Sequence, residues 1–125
     1  MIDQQKNTVP LDLSYLKDMS GDSAEFMIEM IDMFKLQTPL YVADLEQAVN
    51  ASDWEKAAGF AHKIKPTFSY VGREDAREHL QEMENNLRNG SNTGQIPEAM
   101  KELLAFIQVL YRQLDEARAD LEARG

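Results

Sequence analysis

Met100-Lys101-Glu102-Leu103-Leu104-Ala105-Phe106-Ile107-Gln108-Val109-Leu110-Tyr111-Arg112-Gln113-Leu114 is the stretch that decides the fold. Met100, Leu103, Leu104, Ile107, Leu110, Tyr111 and Leu114 return at steps of three and four, the repeat of one face of an α-helix. Pro97 suits the first turn of such a helix, because a proline there gives up an N–H that has no partner in any case. Leu121 continues the stripe, but the residues after Leu114 are mainly charged or alanine, so this end is expected to project from the body.

The same repeat runs upstream. Asp22 with Glu25 reads as a capping box opening a long segment with Met27, Met30, Ile31, Phe34, Tyr41, Leu45 and Val49 on its apolar side. Pro39 interrupts it: either one helix kinks there, at about 3 kcal/mol, or Thr38 caps a fresh helix with Pro39 in its first turn. One kinked helix is the favoured reading. Ser52 with Glu55 is a second box, opening a helix with Trp54, Ala57, Ala58, Ala61, Ile64 and Phe68 that ends near Gly72. A further helix is expected from Glu74 to Arg88, carrying Ala76, Leu80, Met83 and Leu87, and the loop from Gly90 to Gly94 follows it. A short helix from Asp12 to Met19 precedes them, and residues 1–10 read as a flexible tail on a domain spanning 11–125. No alternating apolar run suggests a strand. Four amphipathic helices on short connections imply an all-α antiparallel four-helix bundle, with the short additional N-terminal helix capping one end.

A chain of 125 residues is one domain, and the absence of cysteine excludes disulfides and thiolate chemistry. The formal charge of −9 argues against nucleic acid and anionic membrane as partners. No run approaches the roughly 20 apolar residues of a membrane span, and the first ten residues lack the apolar stretch of a signal peptide, so a cytoplasmic protein is the default. The acidity is uneven: between Glu55 and Arg73 lie Lys56, Lys63, Lys65 and Arg73 against Glu55 alone. Such an island on its own is an ordinary solvated face. A histidine sits inside it.

A helical side chain leans over the turn before it, so the His62 imidazole is expected above Gly59 and Ala58, neither able to cover it. Lys65, three residues on, is a same-face neighbour able to hold an anion beside the ring. Gly59 inside a helix costs about 1 kcal/mol relative to alanine. Pro66 removes the donor to the His62 carbonyl and crowds it. Local rules broken around one exposed side chain are expected at functional sites. His79, with acidic neighbours and no basic residue three later, reads as an ordinary surface or boundary histidine. Phe34 is expected in the core, with exposure beside Leu36 as the alternative, and Phe68 in the core.

Ala61-His62-Lys63-Ile64-Lys65 followed by Gly72 resembles the signature of the histidine-containing phosphotransfer (HPt) domain family, Ala-His-x-Leu-Lys-Gly with a second glycine ten residues after the histidine. Ile64 stands for the usual leucine. Pro66 stands where the family has a glycine, and Thr67-Phe68 where it has a small polar pair, which leaves the orientation of Lys65 open. The resemblance implies a phosphocarrier without independent turnover, in which His62 accepts a phosphoryl group from a receiver-domain aspartate and passes it to another receiver. It gives Lys65 the stabilisation of the phosphoryl oxygens, and Lys63 or Arg73 a longer-range attraction. Ala58, Gly59, Lys63, Pro66, Ser69, Gly72 and Arg73 would form the docking surface. The partners implied are receiver domains and a hybrid sensor histidine kinase, with Mg²⁺ brought by the receiver and no cofactor or metal of its own. A monomer is expected, since the mixed charges past Leu114 suit a solvated end, with pairing through the last helix as the alternative.

Two other readings compete: a helical interaction module that binds receivers without taking phosphate, and an autonomous enzyme. Bundle metal sites need a glutamate three residues before the histidine, and Gly59 and Ala76 occupy those places. No glycine-rich phosphate loop is present either.

Overall fold

The structure, a computed structural model, describes residues 2–124; Met1 and Gly125 lie outside the described residues. After a 3₁₀ turn at Gln4–Thr8 come helices α1 (Ser14–Ser20), α2 (Ala24–Asn50), α3 (Trp54–Tyr70), α4 (Glu74–Asn89) and α5 (Ile96–Arg124), with a second 3₁₀ turn at Thr93–Gln95. The four long helices pack in the cyclic order α2, α3, α4, α5, and α1 lies against α2. Short connections force antiparallel neighbours, as the periodicity predicts. Ile31, Phe34, Leu45, Ala57, Ala61, Ile64, Phe68, Leu80, Met83, Leu103, Phe106 and Leu110 form the centre of the core. Phe68 meets Phe106 edge to face at 5.2 Å.

The two mid-helix prolines, Pro39 and Pro66, sit inside unbroken helices. α2 runs through Pro39 and α3 through Pro66, so the fresh start at Thr38 is not used; Thr38 is instead buried in mid-helix. The caps fall one residue later than the boxes suggest. Ser23 Oγ accepts from Phe26 N (3.2 Å) and Asp53 Oδ1 from Lys56 N (3.3 Å). Asp22 and Ser52 take left-handed angles that turn the chain into each helix (φ +64° and +55°).

Two expectations about the ends are corrected. The last turns of α5 do not project: Leu121 is buried, Arg118 grips Asp32 through two hydrogen bonds (2.7 and 3.1 Å), and Arg124 reaches Asp22 (3.0 Å). These arginines stitch α5 to α2 and to the turn before it, which a reading of α5 alone misses. Nor do residues 2–10 form a tail. Ile2 is buried, and Gln113 on α5 donates to the carbonyls of Lys6 (2.7 Å) and Val9 (3.0 Å). Main-chain carbonyls carry much of this anchoring, and the polar composition of the segment gave no sign of them.

Arg73 joins the two corrections. Its side chain is 2% exposed. It donates to Asp75, Gln113, Asn7 Oδ1 and the Asp3 carbonyl, and its guanidinium lies 4.7 Å from the centre of the Phe106 ring. Expected on the docking surface, it is instead the internal clamp between the N-terminal segment, the α3–α4 turn and α5. Losing a buried charge partner costs about 3 kcal/mol or more. Arg73→Met should therefore lower the urea midpoint, followed by circular dichroism, by an amount corresponding to about 3 kcal/mol. A shift below about 0.5 kcal/mol, the size of an ordinary surface change, would contradict this role.

Candidate functional site

His62 stands midway along α3 with its side chain 66% exposed. Ala57, Ala61, Ile64 and Phe68 draw the other side of the helix into the core, so the imidazole is turned outward. Gly59, one turn before it, has open space where a Cβ would sit. The expectation of an uncovered ring is met.

Beneath the ring lies a residue that the sequence did not single out. His62 Nδ1 is 3.4 Å from Oε2 of Glu84 on α4, whose side chain is only 6% exposed. Lys65 Nζ lies 2.7 Å from Glu84 Oε1 and Arg88 Nε 2.9 Å from Oε2. Burial pushes the Glu84 carboxyl upward, but the pairing with Lys65 and Arg88 outweighs it and holds the group below the ordinary carboxylate range. Glu84 is thus an anion kept under the histidine by two cations. Nδ1 is thus the ring nitrogen turned toward the carboxylate. Nε2 is the nitrogen on the other side of the ring, away from Glu84.

Lys65, expected to hold an anion beside the ring, is already paired with one, the Glu84 carboxylate. It is 11% exposed and also donates to Gln81 Oε1 (2.5 Å). The uninterrupted α3 places it on the side that meets α4.

An open depression continues from His62 along α3, lined by Tyr15, His62, Lys65, Pro66, Ser69, Tyr70 and Arg77. Pro66 and Ser69 therefore flank the histidine as the sequence suggested. Tyr15 of α1 stacks on Tyr70 (5.2 Å between centroids), and Tyr70 on Phe34 (5.9 Å), making an aromatic wall. On the other side of α3 the exposed Lys63 lies over the rings of Tyr41 (5.9 Å) and Phe60 (5.6 Å). Met33, Leu36 and Leu40 are exposed on α2, in a stripe at steps of three and four.

Three docking expectations are corrected. Ala58 is fully buried, because it shares with Lys65 the side of α3 that meets α4. Gly72 serves the turn: its φ is +78°, and a Cβ there would fall 2.5 Å from the Asp12 carbonyl oxygen. Arg73 is internal, as described above. His79 is buried rather than superficial; it donates from Nε2 to the Ala99 carbonyl (3.0 Å), with Nδ1 3.7 Å from Glu102. No group of three or more His, Asp or Glu among the described residues is placed to hold a metal ion.

The family model of the Hpt domain matches residues 29–123, from early α2 nearly to the end of α5. The chain belongs to the Hpt domain family. Hpt domains serve histidine phosphotransfer in phosphorelays, as phosphocarriers that interact with receiver domains and kinases. The crystal structure of histidine-containing phosphotransfer protein B from Pseudomonas aeruginosa PAO1 is similar in fold. It shares 20% identity, at a TM-score of 0.64, over 98% of this chain and 92% of that one. No curated protein matches the chain. Among the described residues of this Hpt domain, no helix is long and apolar enough to cross a membrane.

A carboxylate whose pKa is lowered on folding adds stability above its unfolded pKa, and that stability disappears as the pH falls through the folded value. For Glu84 the loss begins near the ordinary glutamate value of 4.5 and continues below it. Glu84→Gln should thus be less stable than wild type at pH 7, and the gap should close toward pH 3. Urea midpoints at several pH values measure this, and a gap independent of pH would contradict it.

Proposed function

We propose that Nε2 of His62 takes a phosphoryl group from the aspartyl phosphate of one receiver domain and surrenders it to the aspartate of another. In the first step the Asp O–P bond breaks as the N–P bond forms, and the receiver carboxylate leaves with the electron pair. The hydrogen on Nδ1 stays in place, held toward Glu84. The second step is the reverse with a different partner. The observation that carries this reading is an exposed imidazole whose Nδ1 faces a buried, paired carboxylate. The side chain is largely exposed, and the nitrogen that faces the carboxylate is Nδ1, which supports Nε2 as the acceptor.

Phosphoryl transfer asks for positioning and charge neutralisation more than covalent help. Lys65 supplies the neutralisation. The group arriving on His62 brings about two negative charges at pH 7, as on other phosphorylated side chains, and it competes with Glu84 for the lysine. Arg88 remains on Glu84, so the carboxylate keeps a cation when Lys65 turns outward. The receiver contributes its own Mg²⁺ and acidic pocket. Lys63 adds long-range attraction for that pocket, and the Met33, Leu36 and Leu40 stripe offers apolar contact. The protein acts as a cytoplasmic monomer between a hybrid sensor kinase and its regulator.

Incubation with phosphorylated receivers should place an acid-labile label on the wild type and none on His62→Gln. Label retained by that variant would refute the assignment. Lys65→Ala should still be labelled, at a rate lower by about 10² if the lysine acts as one electrostatic stabiliser of the transition state. Rapid-quench transfer kinetics measure that rate. A module that binds receivers without accepting phosphate would show complex formation and no label in any form.

A further inference from the structure

The depression beside His62 has a composition that phosphoryl chemistry alone does not require. It extends past Lys65 to Ser69 and Arg77, with Tyr15 and Tyr70 as its wall. On a chain of net charge −9, no residue lining it is acidic. Its two cations differ. Lys65 is drawn onto Glu84 and Gln81. Arg77 is 40% exposed, and its charged contact is a loose one to Glu74, 3.9 Å away on the same helix. An arginine held so lightly keeps most of its donors for an incoming acceptor.

We infer that this depression is a partner-reading subsite, in which Arg77 pairs with an acidic side chain on the receiver while Tyr15 and Tyr70 pack against the apolar stem of that residue. The inference rests on the phosphotransfer reading and adds a selectivity element to it. Charge complementarity names the occupant: an exposed guanidinium beside an aromatic wall favours a carboxylate on a short apolar stem. Arg77 acts on docking and not on the reacting atoms. The wall is placed by the backbone. Gly72 and Asp12 are in a contact that leaves no room for a side chain, which pins the start of α1 and with it Tyr15 against the α3–α4 turn. α1 is thereby part of the docking surface, although it lies outside the bundle proper.

The test uses the full chain and a panel of receiver domains, with transfer kinetics followed for the receiver that has the highest kcat/KM. Arg77→Glu should raise KM about fivefold or more, the scale of one ion pair replaced by a like-charge contact, while kcat changes less than twofold. Arg77→Lys should fall between. Tyr15→Ala should raise KM in the same sense. An arginine introduced at one acidic position bordering the receiver's phosphorylation pocket should restore the KM of Arg77→Glu, a rescue that a merely structural role would not give. An unchanged KM in Arg77→Glu, or a fall in kcat at constant KM, would overturn the subsite and leave the assignment of His62 intact. Phosphoramidate, which phosphorylates an imidazole with loss of ammonia and needs no receiver, tests that assignment separately. If wild type takes label from phosphoramidate on His62 but from no receiver, both the relay reading and the subsite fall.

Discussion

Small side chains on one side of α3 set the geometry of everything near the site. Ala58 and Ala61, both fully buried, share with Lys65 the side of the helix that faces α4. Helix separation depends on the side chains at the contact, and two alanines let the neighbouring backbone come close. That approach brings the Glu84 carboxylate within reach of both His62 and Lys65, although it belongs to another helix. Larger residues at these positions would push α4 outward and leave the imidazole without its orienting group. The exposure of His62 and the burial of its partner are therefore two results of one packing choice.

A second constraint acts from the far end of the same turn. Gly72 accepts the close passage of Asp12, and Arg73 ties residues 2–10 to α5 through Gln113. The bundle could bury its core without either residue. What they add is a fixed place for α1, and hence for Tyr15 beside the histidine. The signature glycine and the buried arginine after it are part of the site's foundation.

Most of the fold was legible because apolar repeats of three and four residues report which side of a helix is buried, and all four long helices carry them clearly. The caps were displaced by one residue because Asp22–Ser23 and Ser52–Asp53 each offer two good capping side chains in a row. The choice between them is made by the left-handed turn that precedes the helix. His62 and Lys65 were singled out by their spacing, by the helix rules broken around them and by the resemblance of the motif. Glu84 was not: the chain has 22 acidic residues, and which of them lies beneath the ring depends on the rotation of α4 about its own axis. Arg73 was misplaced for a related reason, since a count of charges along the chain does not reveal which of them faces inward.

The pairing of Lys65 with Glu84 has a consequence for what the resting molecule ignores. A cation already neutralised within the fold exerts little pull on free phosphate, nucleotides or metabolite acids drifting past. On the proposed relay, a phosphoryl group bonded to the imidazole brings enough local charge to draw the lysine away, whichever donor delivered it. The attraction of Lys65 is thus held in reserve inside the fold until a phosphoryl group reaches the ring.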